Sequence, residues 1–215
     1  MQIVIIGAGP RGLSLCERLI AHGKQQQKSA SIILIDPDLP GAVWRTTQHQ
    51  DLLINSVTNQ VTLFTDDSLT SGGPVVNGPT LYEWADSIGK SFAQQHAPWL
   101  LAFFDNIDPN GHCPRAVYGL YQQWFYQQLV GSCPTIQLTY VAAKVHAVTK
   151  ETDGYLVQTK DQMWAADKVI LATGHGAVRL SLEEAELAAF AQQNHLFYSP
   201  PANAADVDFS KAAPG

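Results

Sequence analysis

Three glycines, Gly7, Gly9 and Gly12, form a G-x-G-x-x-G pattern. They directly follow the β-branched, apolar run Gln2–Ile6 and precede apolar groups at helical spacing from Leu13 to Ile20. A glycine turn between a strand and a helix is suited to phosphate chemistry. The first glycine permits the tight turn, the second lets a pyrophosphate approach the backbone, and the third lets helix and strand pack closely. The helix N-terminus adds unpaired N–H groups and the positive end of a dipole. Pro10 suits the first helical turn, where its missing N–H costs nothing. Asp36 closes the next apolar run, where its carboxylate can accept hydrogen bonds from ribose hydroxyls. A negative charge there repels a 2′-phosphate, which favours FAD or NAD over NADP. Arg11 reads either as a cation beside the pyrophosphate or as an ordinary exposed helix residue. A glycine turn in a cofactor-free α/β domain is the plain alternative, but it leaves the joint placement of strand, helix and acid unexplained.

Other chemistries find little support. His112-Cys113 lacks a second ligand pair at zinc spacing, so no metal is expected. There is no G-x-S-x-G elbow, and Cys16, Cys113 and Cys133 have neither a C-x-x-C partner nor an adjacent basic cluster. Free thiols in a reduced, cytoplasmic protein are the expectation, with Cys16 packing as a small apolar group. His175 reads as a surface loop residue more readily than as a group at a cofactor edge. With 13 Lys and Arg against 19 Asp and Glu, the formal charge of −6 offers no basic field for a nucleic-acid partner. No apolar run approaches the ~20 residues that span a bilayer, so no membrane partner is expected, and the first residues lack the basic start of a secretory signal.

The elements that must position these groups follow from period and punctuation. Strand, turn, helix and the strand Ser31–Asp36 make a right-handed βαβ unit with a parallel sheet. Pro37 to about Thr80 reads as loops. Thr80 and Glu83 have capping-box spacing ahead of a helix from about Leu81 to Gln95, and a second amphipathic helix spans Arg115 to Leu129. Alternation over Ile136–Val148 and Tyr155–Thr159, with Asp153-Gly154 as the turn, predicts an antiparallel hairpin or meander. Asp167–Gly174 is a buried strand closed by small residues, Ser181 and Glu184 form another capping box, and an extended tail follows Tyr198.

The chain resembles the two-dinucleotide-binding flavoproteins, in particular the FAD-NAD(P)-binding family. Gly7 to Leu19 is similar to that family's G-A-G-P-R-G-L-S start and E-R-L helix. Gly41-Ala42-Val43-Trp44-Arg45, Leu53-Ile54-Asn55, Gly78-Pro79-Thr80 with Trp84, and Pro114-Arg115-Ala116-Val117-Tyr118-Gly119-Leu120-Tyr121 resemble later signatures in the same order. The resemblance implies an α/β, Rossmann-like FAD-binding domain with a parallel sheet, an antiparallel β-meander crossover and an inserted helical region at about 79–131. It implies that Val145, in Ala143-Lys144-Val145, pairs its backbone with adenine, and that Ala172-Thr173-Gly174 ends the strand under the cofactor. Trp44 is then either a flat face for the isoalloxazine or a loop anchor. Arg45 is a contact for flavin carbonyls or a substrate carboxylate, and Asn55 is a donor to the cofactor or a turn cap.

Such a protein would pass electrons from NAD(P)H through FAD to oxygen or another acceptor, with monooxygenase chemistry as one form. No second G-x-G-x-x-G is present in the 215 residues. The expectation is a domain over 1–198 with a tail at 199–215 leading to a missing second nucleotide-binding segment, supplied by a longer chain or a partner chain. Two readings of function stand: the FAD-binding portion of an oxidoreductase acting on an unknown small molecule, incomplete as a catalyst alone, or a non-catalytic dinucleotide-binding module working with a partner. A methyltransferase using S-adenosylmethionine also carries a glycine loop after its first strand, but Pro10 and the late Ala172-Thr173-Gly174 point away from it.

Overall fold

In strand β1 (Gln2–Ile6) alternate side chains enter two different cores: Ile3 and Ile5 pack on one face, Val4 and Ile6 on the other. Strand β2 (Ala30–Asp36) repeats the pattern with Ile32 and Leu34 against Ile33 and Ile35. A strand buried on both faces needs apolar residues at every position, which is why both read as unbroken β-branched runs. The computed structural model describes residues 1–41, 43–68, 70, 72–175 and 179–207. The chain divides into the units Met1–Gly174 and His175–Gly215.

The first unit is built on a four-stranded sheet of order β3-β2-β1-β7, parallel throughout, with β3 at Ile136–Ala142 and β7 at Lys168–Leu171. Helix α1 (Pro10–Gln25) places Leu13, Cys16 and Ile20 on one face of this sheet. The same core takes in a helical layer: α2 (Leu81–Trp84), a π-helical turn at Ala85–Gly89, α3 (Lys90–His96), a 3-10 helix at Pro98–Phe104 and α4 (Arg115–Leu129). Trp84, fully buried, is the hub of that layer. Its ring meets Tyr121 at 5.4 Å, Phe104 at 5.8 Å, Trp124 at 6.0 Å and Phe92 at 6.3 Å. The opposite face is covered by a separate antiparallel sheet, β4 (Val145–Glu151), β5 (Gly154–Thr159) and β6 (Met163–Ala166), through Val157, Trp164 and Ala166. In the second unit, α5 (Leu182–Gln193) begins at a Ser181–Glu184 capping box.

The βαβ unit, both capping boxes and α4 agree with the sequence, but other features differ, among them β7, whose Lys168 and Leu171 are exposed where a buried strand is expected. Ile136–Ala142 does not belong to a hairpin with the residues after it: it is the parallel edge strand beside β2. Its alternating burial comes from its edge position, and alternation does not tell a parallel partner from an antiparallel one. The helix after Thr80 is interrupted by the π turn, where Gly89 lies against the Phe104 ring. The 3-10 helix and β6 have no expected counterpart, because each is short and is held by packing more than by propensity. The tail is not uniformly extended: Ala204–Asp206 form a 3-10 turn capped by Asn203. Residues 208–215 of the tail, Gly176 and Ala42 lie outside the described residues.

Helix α4 and the loop carrying Trp44 approach so closely that a Cβ on Gly119 would lie 1.6 Å from the Trp44 carbonyl oxygen. Gly119→Ala should therefore cost about 1–3 kcal/mol, the scale of overpacking. A urea midpoint equal to that of the parent protein would show that the loop moves aside without cost.

Candidate functional site

The glycine turn is held by contacts with no room for side chains. Gly7 has φ +113° and donates its N–H to Ile35 O at 2.8 Å, and a Cβ there would lie 2.2 Å from Ala172 O. A Cβ on Gly12 would lie 2.0 Å from Gly7 O. Ala172 N–H in turn donates to Ile6 O at 2.8 Å. The ends of β1 and β7 and the start of α1 thus meet backbone to backbone. Gly9 is the N-cap of α1 at φ −72° and ψ −176°, with Pro10 following, and no side chain caps the helix. The first-turn N–H groups and the positive dipole end are left for an anion. Arg11 is exposed beside them.

Asp36 is tied directly to this turn. Its Oδ2 accepts the Ala8 N–H at 2.8 Å and its Oδ1 accepts the Asp38 N–H at 2.9 Å. Burial pushes its carboxyl above the usual aspartate range, the two N–H donors pull it back, and the Asp38 charge adds to the rise. A carboxylate has about four lone-pair positions, so two remain for further donors. Tyr140 donates its hydroxyl towards Asp36 O at 3.0 Å and also towards Asp38 O. Burial, followed by the charges of Asp36 and Asp38, pushes that phenol up to about 12, so it stays a donor. Ala143 N–H donates to Asp36 O at 3.1 Å, which brings the stretch leading to half-buried Val145 beside the end of β2. A register shift between Val145 and Ala147 marks the start of β4. Thr173 and Gly174 are exposed, Gly174 at φ +65°.

The remaining sequence signatures converge on the N-terminal half of α4. Gly41 N–H donates to Ala8 O at 2.9 Å, coupling the Trp44 loop to the glycine turn. Trp44 is half-buried, with its ring edge-on to Tyr118 at 4.9 Å and the Arg115 guanidinium 5.2 Å from its centroid. These contacts hold the Trp44 ring against the first turn of α4. Arg45 is partly exposed, and its carbonyl accepts from Gln48 Nε2 at 2.9 Å. Leu53 bridges to Pro114, Arg115 N–H donates to Leu52 O at 2.7 Å, and Ile54 N–H donates to Cys113 O at 2.9 Å, which leaves Asn55 exposed just past the bridge.

Sequence reasoning did not single out Tyr140, Gln48 or Gln122, and treated Arg115 only as part of a signature. Gln122 is fully buried, its Cβ 3.6 Å from where a Cβ on Gly41 would sit, and the Oε1 atoms of Gln48 and Gln122 have no partner among the described residues. A glutamine inside the apolar face of α4 was the available signal.

Comparison with known proteins adds a family to this geometry. Residues 4–176 match the FAD-NAD(P)-binding family. The chain belongs to that family. Nitrosuccinic acid synthase npaA of Aspergillus oryzae is 35% identical over 223 residues, covering 100% of this chain and 32% of the relative. A nitrosuccinate-forming L-aspartate N-monooxygenase of Streptomyces cremeus is 36% identical over 239 residues, covering 100% of this chain and 34% of the relative. This FAD-NAD(P)-binding chain therefore spans about a third of the length of the curated relatives it matches. The solved structure of lysine monooxygenase NbtG from Nocardia farcinica aligns with 16% identity and a TM-score of 0.48, over 89% of this chain and 60% of that one. Among the described residues, no helix is long and apolar enough to cross a membrane, and no cluster of three His, Cys, Asp or Glu side chains could hold a metal ion.

Cys16 and Cys113 are buried, and burial pushes both thiols up to about 12. Neither should react with iodoacetamide at about pH 8 in the folded chain, while both should react in urea, because the thiolate is the reactive form. Mass-mapped alkylation checks this; rapid native labelling of either would contradict the packing described.

Proposed function

We propose that this chain is the FAD-binding portion of an NAD(P)H-dependent flavoprotein oxidoreductase of the monooxygenase type. The observation that carries the reading is the uncapped start of α1 at Gly9, beside Gly7 and Gly12, which have no room for a Cβ, and an Asp36 carboxylate bonded to Ala8. These residues fit an adenine dinucleotide. The first-turn N–H groups and Arg11 face its pyrophosphate, Asp36 accepts from the adenosine ribose, and the backbone near Val145 meets adenine. Ala172, Thr173 and Gly174 pass beneath the cofactor, while Trp44, Arg45 and Asn55 border its flavin end. Bound FAD would supply the redox chemistry, accepting a hydride from NAD(P)H and passing electrons to oxygen or another acceptor.

The chain's own residues bind and orient. Asp36, bonded on both oxygens by backbone N–H groups, is fixed in direction before a ribose arrives. Its charge disfavours a 2′-phosphate, so NADP is excluded from this first site and NAD(P)H would act at a second one. The domain is read as 1–198 with the helical insertion at about 79–131, and 199–215 as a connection towards that second nucleotide-binding segment. The two relatives named above support N-oxygenation of a small acidic amino acid as the activity of the whole protein, and a cytoplasmic location is part of the same reading. The single G-x-G-x-x-G among the 215 residues also fits the alternative reading, a non-catalytic FAD- or NAD-binding module acting with a partner.

Gly9 sits at a φ of −72° that any residue can adopt, so Gly9→Val should keep the fold while its side chain blocks the pyrophosphate. FAD affinity is expected to fall by at least about tenfold, the scale of a lost charge-assisted bond, with an unchanged circular dichroism spectrum. Unaltered affinity would remove the pyrophosphate assignment. Asp36→Ala should weaken FAD binding by about 1–3 kcal/mol. Equal FAD and NAD titrations for that variant and the parent would leave Asp36 a purely structural tie. A flavin spectrum that bleaches on adding NAD(P)H separates an oxidoreductase from a binding module.

A further inference from the structure

Arg115 is held at two points and open at a third. It is the first residue of α4, its Nε donates to Leu53 O at 3.3 Å, and its guanidinium carbon lies 5.2 Å from the centre of the Trp44 ring. Among the described residues no hydrogen bond or ion pair engages its two terminal nitrogens. The stacking on Trp44 and the bond to Leu53 fix the plane of the guanidinium, and the unused edge keeps four N–H donors in a fork that matches a carboxylate. The first turn of α4 carries no acidic residue and no side-chain cap, so the positive end of that helix adds to the field at the same place. In a chain of formal charge −6, this is a locally cationic edge where an anion is otherwise repelled.

Its position argues against the dinucleotide phosphates as the partner. The α4 residues that meet the glycine turn are Gly119 and Gln122, both against Gly41 beside Ala8. Arg115 lies four and seven residues earlier, about 6 and 10 Å away along the helix axis at 1.5 Å per residue. It is beside Trp44 and Leu53, the segments placed above at the flavin end. We infer that Arg115 is a specificity-determining residue that holds the carboxylate of a small acidic substrate in two-point contact. This rests on the cofactor reading above for the location of the flavin end, but the geometry of Arg115 itself does not depend on it.

The test is calorimetric titration of the chain, with and without FAD, using L-aspartate, succinate, neutral succinamide and inorganic phosphate as probes. The parent, Arg115→Ala and Arg115→Lys are compared. L-Aspartate and succinate should bind the parent and succinamide should not. Arg115→Ala should weaken acid binding by about tenfold or more, and Arg115→Lys, which keeps the charge but loses the fork, should fall between. FAD affinity of Arg115→Ala should stay near that of the parent. The inference is overturned if Arg115→Ala and Arg115→Lys both bind the acids like the parent, if the parent binds none, or if phosphate outcompetes them. It is also overturned if FAD affinity falls in step with acid binding, which would make Arg115 a cofactor residue. Failure of the parent to bind FAD, with acid binding still dependent on Arg115, would sink the cofactor reading and support this one. Arg115→Lys keeps the comparison meaningful should Arg115→Ala lose the fold.

Discussion

Three backbone segments meet at Gly7, and the meeting leaves no space for a single β-carbon. The end of β1, Ala172 just past β7 and the first turn of α1 come together there, with Ala172 N–H on Ile6 O and Gly7 N–H tying the turn to Ile35 O of β2. Such an approach sets the angle at which α1 leaves the sheet, and therefore where its free N–H groups point. Asp36 adds a fourth attachment, its carboxylate bonded to Ala8 within the turn and to Asp38 beyond it. The same group that would recognise a ribose thus also braces the loop that would recognise a phosphate. Such double use explains how a short glycine-rich loop keeps one shape without side chains of its own.

Helix α4 is the second organiser. Gly119 admits the Trp44 carbonyl against the helix, Gln122 meets Gly41, and Arg115 reaches Trp44 and Leu53. One face of a single helix thereby sets the positions of two neighbouring loop segments that lie more than 60 residues before it in the chain. Its other contacts run into the aromatic cluster around Trp84 and Tyr121, which anchors the helical layer to the sheet. Edge-on ring pairs of this kind hold relative orientation as well as burying area. Rigidity made in the core is passed outward to the loops that border the site.

The strand, turn, helix and strand of the N-terminal third were legible because every signal there is local. Apolar runs, glycine spacing, Pro10 and a terminal acid lie within 36 residues, and each agrees with the others. The capping boxes at Thr80 and Ser181 were legible for the same reason, since both partners lie three residues apart. Ile136–Ala142 was misread because its partner, β2, is about a hundred residues away and alternation looks alike in either kind of sheet. The π turn at Ala85–Gly89 and the 3-10 helix depend on how Trp84, Phe92 and Phe104 fit together, which no window of sequence displays. Gln122 was passed over although it lies within the apolar face of α4, because its burial shows only once its neighbours are known.

By itself the sequence determined the glycine turn, the acid that ends β2, the acidic net charge and the order of the signatures that mark the family. Those are properties of residue type and short spacing. Only the tertiary structure decided that the Trp44 loop, the Leu53–Asn55 segment and Pro114-Arg115 form one region, and that the guanidinium of Arg115 is seated on Trp44 with its fork left open. These contacts join positions up to 71 apart in the chain. Their formation depends on burying the apolar face of α4, a free energy that belongs to the whole core and to no local segment.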